Sequence, residues 1–136
     1  MKKVESYEQA CEIEGLDPAA TPDLSMLPAY LQKSTMSFIR LVIIVRAINK
    51  LANDGNVWIP DFEDLTQKKW QPMFCLKKDK SNPSGFRFVF SCYVNVSSAA
   101  PSGSRLCFKN ESDSDYAGVQ FQSDYRNLLS NYDGNA

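Results

Sequence analysis

One stretch, Pro28 to Asn53 (PAYLQKSTMSFIRLVIIVRAINKLAN), decides most of what this chain can fold into. At ~100° per residue, Leu31, Phe38, Leu41, Val42, Val45, Ile48 and Ala52 fall on one side, wide enough to cover a sheet. Ile39 and Ile43 lie on a second side beside Arg46 and Lys50. The spacing therefore predicts a long helix buried on two sides, with only a narrow polar strip left for water. Pro28 suits a first helical turn, where its missing N–H costs nothing, and Asn53-Asp54-Gly55 tolerates the left-handed backbone that ends helices. A membrane span would need ~20 consecutive apolar residues. Here Arg40 and Arg46 bracket only Leu41 to Val45, so no membrane association is expected.

The flanking segments read more briefly. Ser6 followed by Gln9 has capping-box spacing, which predicts a short helix over residues 6–14 ended by Gly15. Pro18 and Pro22 make residues 16–27 an extended linker, pinned to the body by Leu24, Met26 and Leu27. A pendant N-terminal arm is the alternative. After the long helix, Val57-Trp58-Ile59 is extended up to Pro60, and DFEDL forms an acidic turn. QKKWQPMFCLKK predicts a strand that Pro72 confines to an edge or a bulge. GFRFVFSCYVNV, after the turn KKDKSNPSG, is a strand with Phe86, Phe88, Phe90, Cys92 and Val94 on its core face. A loop, SSAAPSGS, leads to a short strand Arg105–Lys109, and Ser112 or Ser114 caps a closing helix on which Ala117, Phe121, Tyr125 and Leu128 or Leu129 repeat. SNYDGNA is expected to fray. The fold class expected is a single α+β domain over 1–136: a three-stranded antiparallel meander packed on the central helix and the closing helix.

Charge narrows the functional classes. Fifteen basic and 16 acidic side chains nearly cancel, so global charge favours neither nucleic acid nor a membrane surface. The distribution is uneven, with net −1 over residues 1–56, +3 over 57–111 and −3 over 112–136. The opening MKKVESYEQACEIEG carries charges where a secretory signal needs an apolar run, so a cytoplasmic location is expected.

Four stretches also carry a resemblance: AINKLANDGNVWIPDFEDLTQKKWQPMF, Gly85-Phe86, GSRLCFKN and YAGVQFQSDYRNLL. Together they resemble short uncharacterised proteins from Bacteroidetes genomes and their phages. Ile59 between Trp58 and Pro60, and Met73 in place of an aromatic, depart from that pattern. The resemblance implies a phage or mobile-element origin and an intracellular setting, and supplies no activity.

Candidate chemistry is sparse. The chain has no histidine, which removes Cys–His and Ser–His nucleophile pairs and the commonest general base. Cys11, Cys75, Cys92 and Cys107 include no C-x-x-C pair and read as small buried hydrophobes rather than zinc ligands. A Cys92–Cys107 disulfide across adjacent strands is disfavoured by a reducing compartment. Asp61, Glu63 and Asp64 are the one tight carboxylate group, but DFEDL lacks the glycine and terminal glutamate of a calcium loop. Gly85, Gly103 and Gly118 stand singly, so no phosphate loop is present. No catalytic residue, metal or cofactor is expected.

Two binding readings remain. Trp58, Phe62, Trp70 and Phe74, near Pro60 and Pro72, form a candidate surface for a protein partner or a second copy; their plain alternative is a lid over the core. Lys68, Lys69, Lys77, Lys78 and Arg105, interleaved with aromatics, could instead track single-stranded nucleic acid. The expected role is a non-enzymatic accessory protein that binds another protein, with nucleic-acid binding as the alternative. A histidine-free, metal-dependent enzyme using Asp61, Glu63 or Asp64 ranks behind both.

Overall fold

A computed structural model describes residues 3–95 and 99–134. Parts of the expected loop (Ser97, Ser98), of the end expected to fray (Asn135, Ala136) and of the expected second strand (Val96) lie outside the described residues. The elements are α1 (Tyr7–Glu14), α2 (Ala29–Ala52), β1 (Lys69–Cys75), β2 (Arg87–Val94), a 3-10 turn (Ser104–Leu106), α3 (Glu111–Gln120) and α4 (Gln122–Leu129).

Local signals set α1. The Ser6 hydroxyl accepts the Gln9 N–H at 3.2 Å, and the Gln9 amide oxygen accepts the Glu5 N–H at 2.7 Å. Gly15 closes the helix at φ 70. Val4, Tyr7, Ala10 and Cys11 are buried, and the Tyr116 hydroxyl donates to the Val4 carbonyl at 2.8 Å. The N-terminal segment is thus part of the body, not a pendant arm. Along the linker Leu24 and Leu27 are half-buried, whereas Met26 points into solvent.

α2 runs through the middle. Leu41, Val45 and Ile48 are buried as the spacing predicts, joined by Ile44 and Ala47. Leu31 and Phe38, expected on the core side, are exposed, while neighbouring Ser37 is buried against α4. α1 covers the second side, where Arg46 Nε meets Glu14 at 2.9 Å and Lys50 Nζ reaches the Ile13 carbonyl at 3.4 Å. α4 packs on the opposite flank, locked by Asp124, which accepts from the Ser37 hydroxyl at 2.9 Å and from Arg40 Nε at 3.1 Å. The helix ends through Asp54 and Gly55, both at positive φ, with the Gly55 N–H on the Lys50 carbonyl.

The sheet corrects the expected meander. It has two antiparallel strands, not three, and α3 rather than α2 lies across it. The expected third strand, Arg105–Lys109, is a 3-10 turn followed by one bridge, Phe108 to Trp70, so it meets β1 and not β2. Pro72 supplies the reason. Trp70 exchanges both backbone hydrogen bonds with Phe108, at 2.9 and 2.7 Å. Backbone groups alternate sides along a strand, so the Pro72 nitrogen faces that same edge and cannot donate to a continuing ladder. The other edge of this short segment is satisfied by a side chain: buried Asn49 donates to the Cys107 carbonyl at 2.9 Å and accepts the Lys109 N–H at 3.0 Å.

A bulge overturns the expected alternation on β2. Met73 pairs with Phe90 and Phe74 with Phe88, leaving Val89 as an extra residue. Phe86 and Phe88 therefore face the helices, as does Ser91, whose hydroxyl donates to Asp115 at 2.6 Å. Phe90, expected in the core, is turned to solvent, and Cys92 and Val94 are only partly covered. On α3, Gly118 allows the close approach to the sheet: a Cβ there would stand 2.5 Å from the Phe88 ring and 3.0 Å from Pro72. The closing helix is also two helices, not one, broken at Phe121 (φ −110, ψ 29), with Asn110 rather than Ser112 or Ser114 at its N-cap. The break lets Ala117 and Gly118 meet the sheet while Asp124 and Tyr125 meet α2 and the Phe74 ring.

Candidate functional site

The four aromatics read as a partner surface are divided. Trp58 and Phe62 are half-buried on the irregular segment after α2, where they share a groove with Val42, Val45, Asn49 and Arg105. Trp70 is half-buried edge-on to Tyr93, with centroids 5.1 Å apart. Phe74 stacks on Phe86 at 4.6 Å and leans on Tyr125 at 5.0 Å, packed against the core. Trp70 and Phe74 thus mainly join sheet to helices, while Trp58 and Phe62 cover the far end of α2.

The basic set is divided as well. Lys69 is fully buried, its ammonium donating to the Asp64 carbonyl at 3.0 Å beside the Phe62 ring, so it is withheld from any phosphate. Lys68 is exposed, its ammonium 4.7 Å from the Tyr93 ring and 5.8 Å from Trp70. Lys77 and Lys78 are exposed beyond the other end of β1, a strand of 7 residues that spans roughly 20 Å at a rise of ~3.3 Å per residue. Arg105 is exposed at the Trp58 groove.

The acidic trio works on its own backbone. The Asp61 carboxylate accepts the Glu63 N–H at 2.9 Å, and Asp64 accepts the Thr66 N–H at 2.9 Å and its hydroxyl at 2.6 Å. The Thr66 bonds hold the Asp64 carboxyl below its ordinary pKa. Among the described residues, no three Asp, Glu or Cys side chains gather closely enough to hold a metal ion. All four cysteines are free thiols. Cys11 and Cys107 are buried, and burial pushes the Cys107 thiol up to about 11 against a weaker opposing bond from Gln71.

What sequence reasoning missed is the solvent side of the hairpin. Met73, Val89 and Phe90 are each between 42% and 54% exposed and adjoin one another across β1 and β2, whereas Tyr93, 47% exposed, lies on the opposite face with Trp70. Among the described residues, the outer edge of β2 carries no further strand. Arg87 flanks this apolar area at one end, and Lys68 lies on the other face, over the Trp70 and Tyr93 rings. Nothing in GFRFVFSCYVNV marks the bulge that exposes Phe90, since apolar residues occupy both parities of the strand. No helix among the described residues is long and apolar enough to cross a membrane. Comparisons of the chain with protein-family models, curated proteins and solved structures return no match.

Proposed function

We propose that this is a non-enzymatic accessory protein of the cytoplasm that binds another protein, taking an extended segment of its partner along the outer edge of β2. The observation that carries the reading is the β2 edge, unpaired among the described residues, with Val89 and Phe90 exposed beside it. Exposed strand edges are commonly blunted, and an edge left open beside apolar side chains is suited to strand addition. Main-chain bonds would supply affinity, Phe90 and Met73 the apolar anchor, and Arg87 a preference for carboxylates on the incoming segment. Four free thiols fit a reducing compartment. The phage or mobile-element origin rests on the resemblance of the sequence.

A photo-crosslinking residue at Tyr93, introduced in the native host, tests this against the same residue at Glu12 on the exposed face of α1. One dominant adduct from position 93, absent from position 12 and lost with Phe90→Glu, is expected. An adduct of twice the chain mass would identify the partner as a second copy. Equal labelling from both positions would refute the reading.

Single-stranded nucleic acid is the second reading, favoured by the Lys68 ammonium over the exposed Tyr93 ring. It requires oligonucleotide affinity that falls with salt at a slope of roughly −0.7 per phosphate contacted. A salt-insensitive complex excludes it.

A further inference from the structure

The groove that holds Trp58 has a volume of about 330 Å³, within the range of small-molecule sites. It lies between α2 (Val42, Val45), the segment after it (Trp58, Ile59, Phe62) and the 3-10 turn (Ser104, Arg105). Residues 57–61 belong to neither helix nor strand. Ile59 is 73% exposed at this groove and Trp58 and Phe62 are half-buried, so apolar and aromatic surface remains for a ligand to cover.

The charge around the groove does not balance. Arg46 lines it but is engaged through Nε with Glu14 at 2.9 Å. The Lys69 ammonium, 5.2 Å from the Phe62 ring, has the Asp64 carboxylate in its field. Arg105 also lines the groove, and it is exposed and makes no hydrogen bond or ion pair among the described residues. No Asp or Glu lines the groove among those residues, which leaves one unmatched positive charge at its rim. A guanidinium presents a planar fork of donors that matches a carboxylate. The Trp58 indole N–H and the Ser104 hydroxyl are likewise uncommitted within the described residues, whereas the Asn49 amide is already taken by the Cys107 carbonyl and the Lys109 N–H. A monocarboxylate balances this charge; a phosphate monoester, at about −1.5 to −2 near pH 7, leaves an excess.

We propose that the groove between α2, Trp58 and the 3-10 turn binds a small aromatic monocarboxylate, its ring packing on Trp58, Ile59 and Phe62 and its carboxylate pairing with the Arg105 guanidinium. The site shares no residue with the outer edge of β2 and does not depend on protein binding there.

Three naphthalenes of similar shape distinguish the chemistry on the intact chain: 2-naphthoate, the neutral 2-naphthamide and 2-naphthyl phosphate. Each is titrated while the Trp58 indole N–H and the Val42 and Val45 methyl resonances are followed by NMR. Naphthoate should shift these signals and bind about tenfold more tightly than the amide, the gain of a charge-assisted pair over a neutral contact. The phosphate should bind no more tightly than naphthoate. Arg105→Gln, at an exposed position, should fold and bring naphthoate and amide to equal affinity. Lys78→Gln, outside the groove, should keep the tenfold difference. Equal affinities in the unaltered protein would overturn the proposal. So would a naphthoate preference that survives in Arg105→Gln or vanishes in Lys78→Gln, tighter binding of the phosphate, shifts confined to Val89 and Met73, or no shift at all.

Discussion

Asn49 does at the scale of one side chain what a strand would otherwise do. Its carboxamide satisfies one carbonyl and one N–H of a buried segment that has no neighbouring strand on that side. Asn49→Leu keeps much of the volume and orphans both groups, so unfolding in urea should show a loss of about 2–4 kcal/mol. A loss below about 0.5 kcal/mol would mean that water replaces the amide freely. Cys107, one of the residues so held, should also make stability depend on alkaline pH. Its thiol titrates at about 11 in the fold, against an ordinary value of 9.0. Between those values the native state binds more protons than the unfolded state. The contribution is therefore intact below about pH 9 and is lost as pH rises toward 11, on the order of 1 kcal/mol after screening. Tyr7, raised to about 12 mainly by burial, acts in the same direction at higher pH. Cys107→Ala should flatten the decline between pH 9 and 11 in thermal melts, and an unchanged slope would show that the thiol is not its source.

Among the elements, α2 supplies the sharpest contrast. Val45 is 2% exposed and Arg46, the next residue, faces water. Val45→Asp should cost more than about 3 kcal/mol because its carboxylate is buried unpaired. Arg46→Glu, on the half-exposed side chain that pairs with the mostly buried Glu14, should cost about 1–2 kcal/mol. Comparable melting points for the two variants would contradict this orientation of the helix. Both helix ends, the capping of α1 and the hairpin were legible because each is written in neighbouring residues: Ser6 and Gln9, Gly15, Asn53 to Gly55, and the aromatic run from Phe86. The bulge, the break at Phe121 and the missing third strand were not. Each is decided by residues far apart in sequence, such as Pro72 facing the segment before Phe108, or Gly118 admitting Phe88 and Pro72. The candidate surface suffered most, since one extra residue at Val89 moves Phe90 from the expected core to solvent.

The molecule as a whole should protect its thiols unequally. Cys75 and Cys92 are half-buried on the sheet, while Cys11 and Cys107 are buried. A disulfide reagent should therefore modify two thiols of the native protein well before the other two, and all four at once after denaturation. Simultaneous native reaction of all four would show that the whole domain opens as readily as its sheet. The single bridge at Phe108 also has a consequence for the order in which the chain acquires its structure. Residues 107–109 own no ladder; they are held by Trp70 on one side and by Asn49, 58 and 60 residues earlier, on the other. Both clamps are closed together only once α2 and the hairpin have come together, so full protection of this segment records their meeting. In pulse-labelled hydrogen exchange during refolding, the Phe108 and Lys109 amides should gain protection after those of α2 and with the last native contacts, serving as an internal clock for closure of the fold.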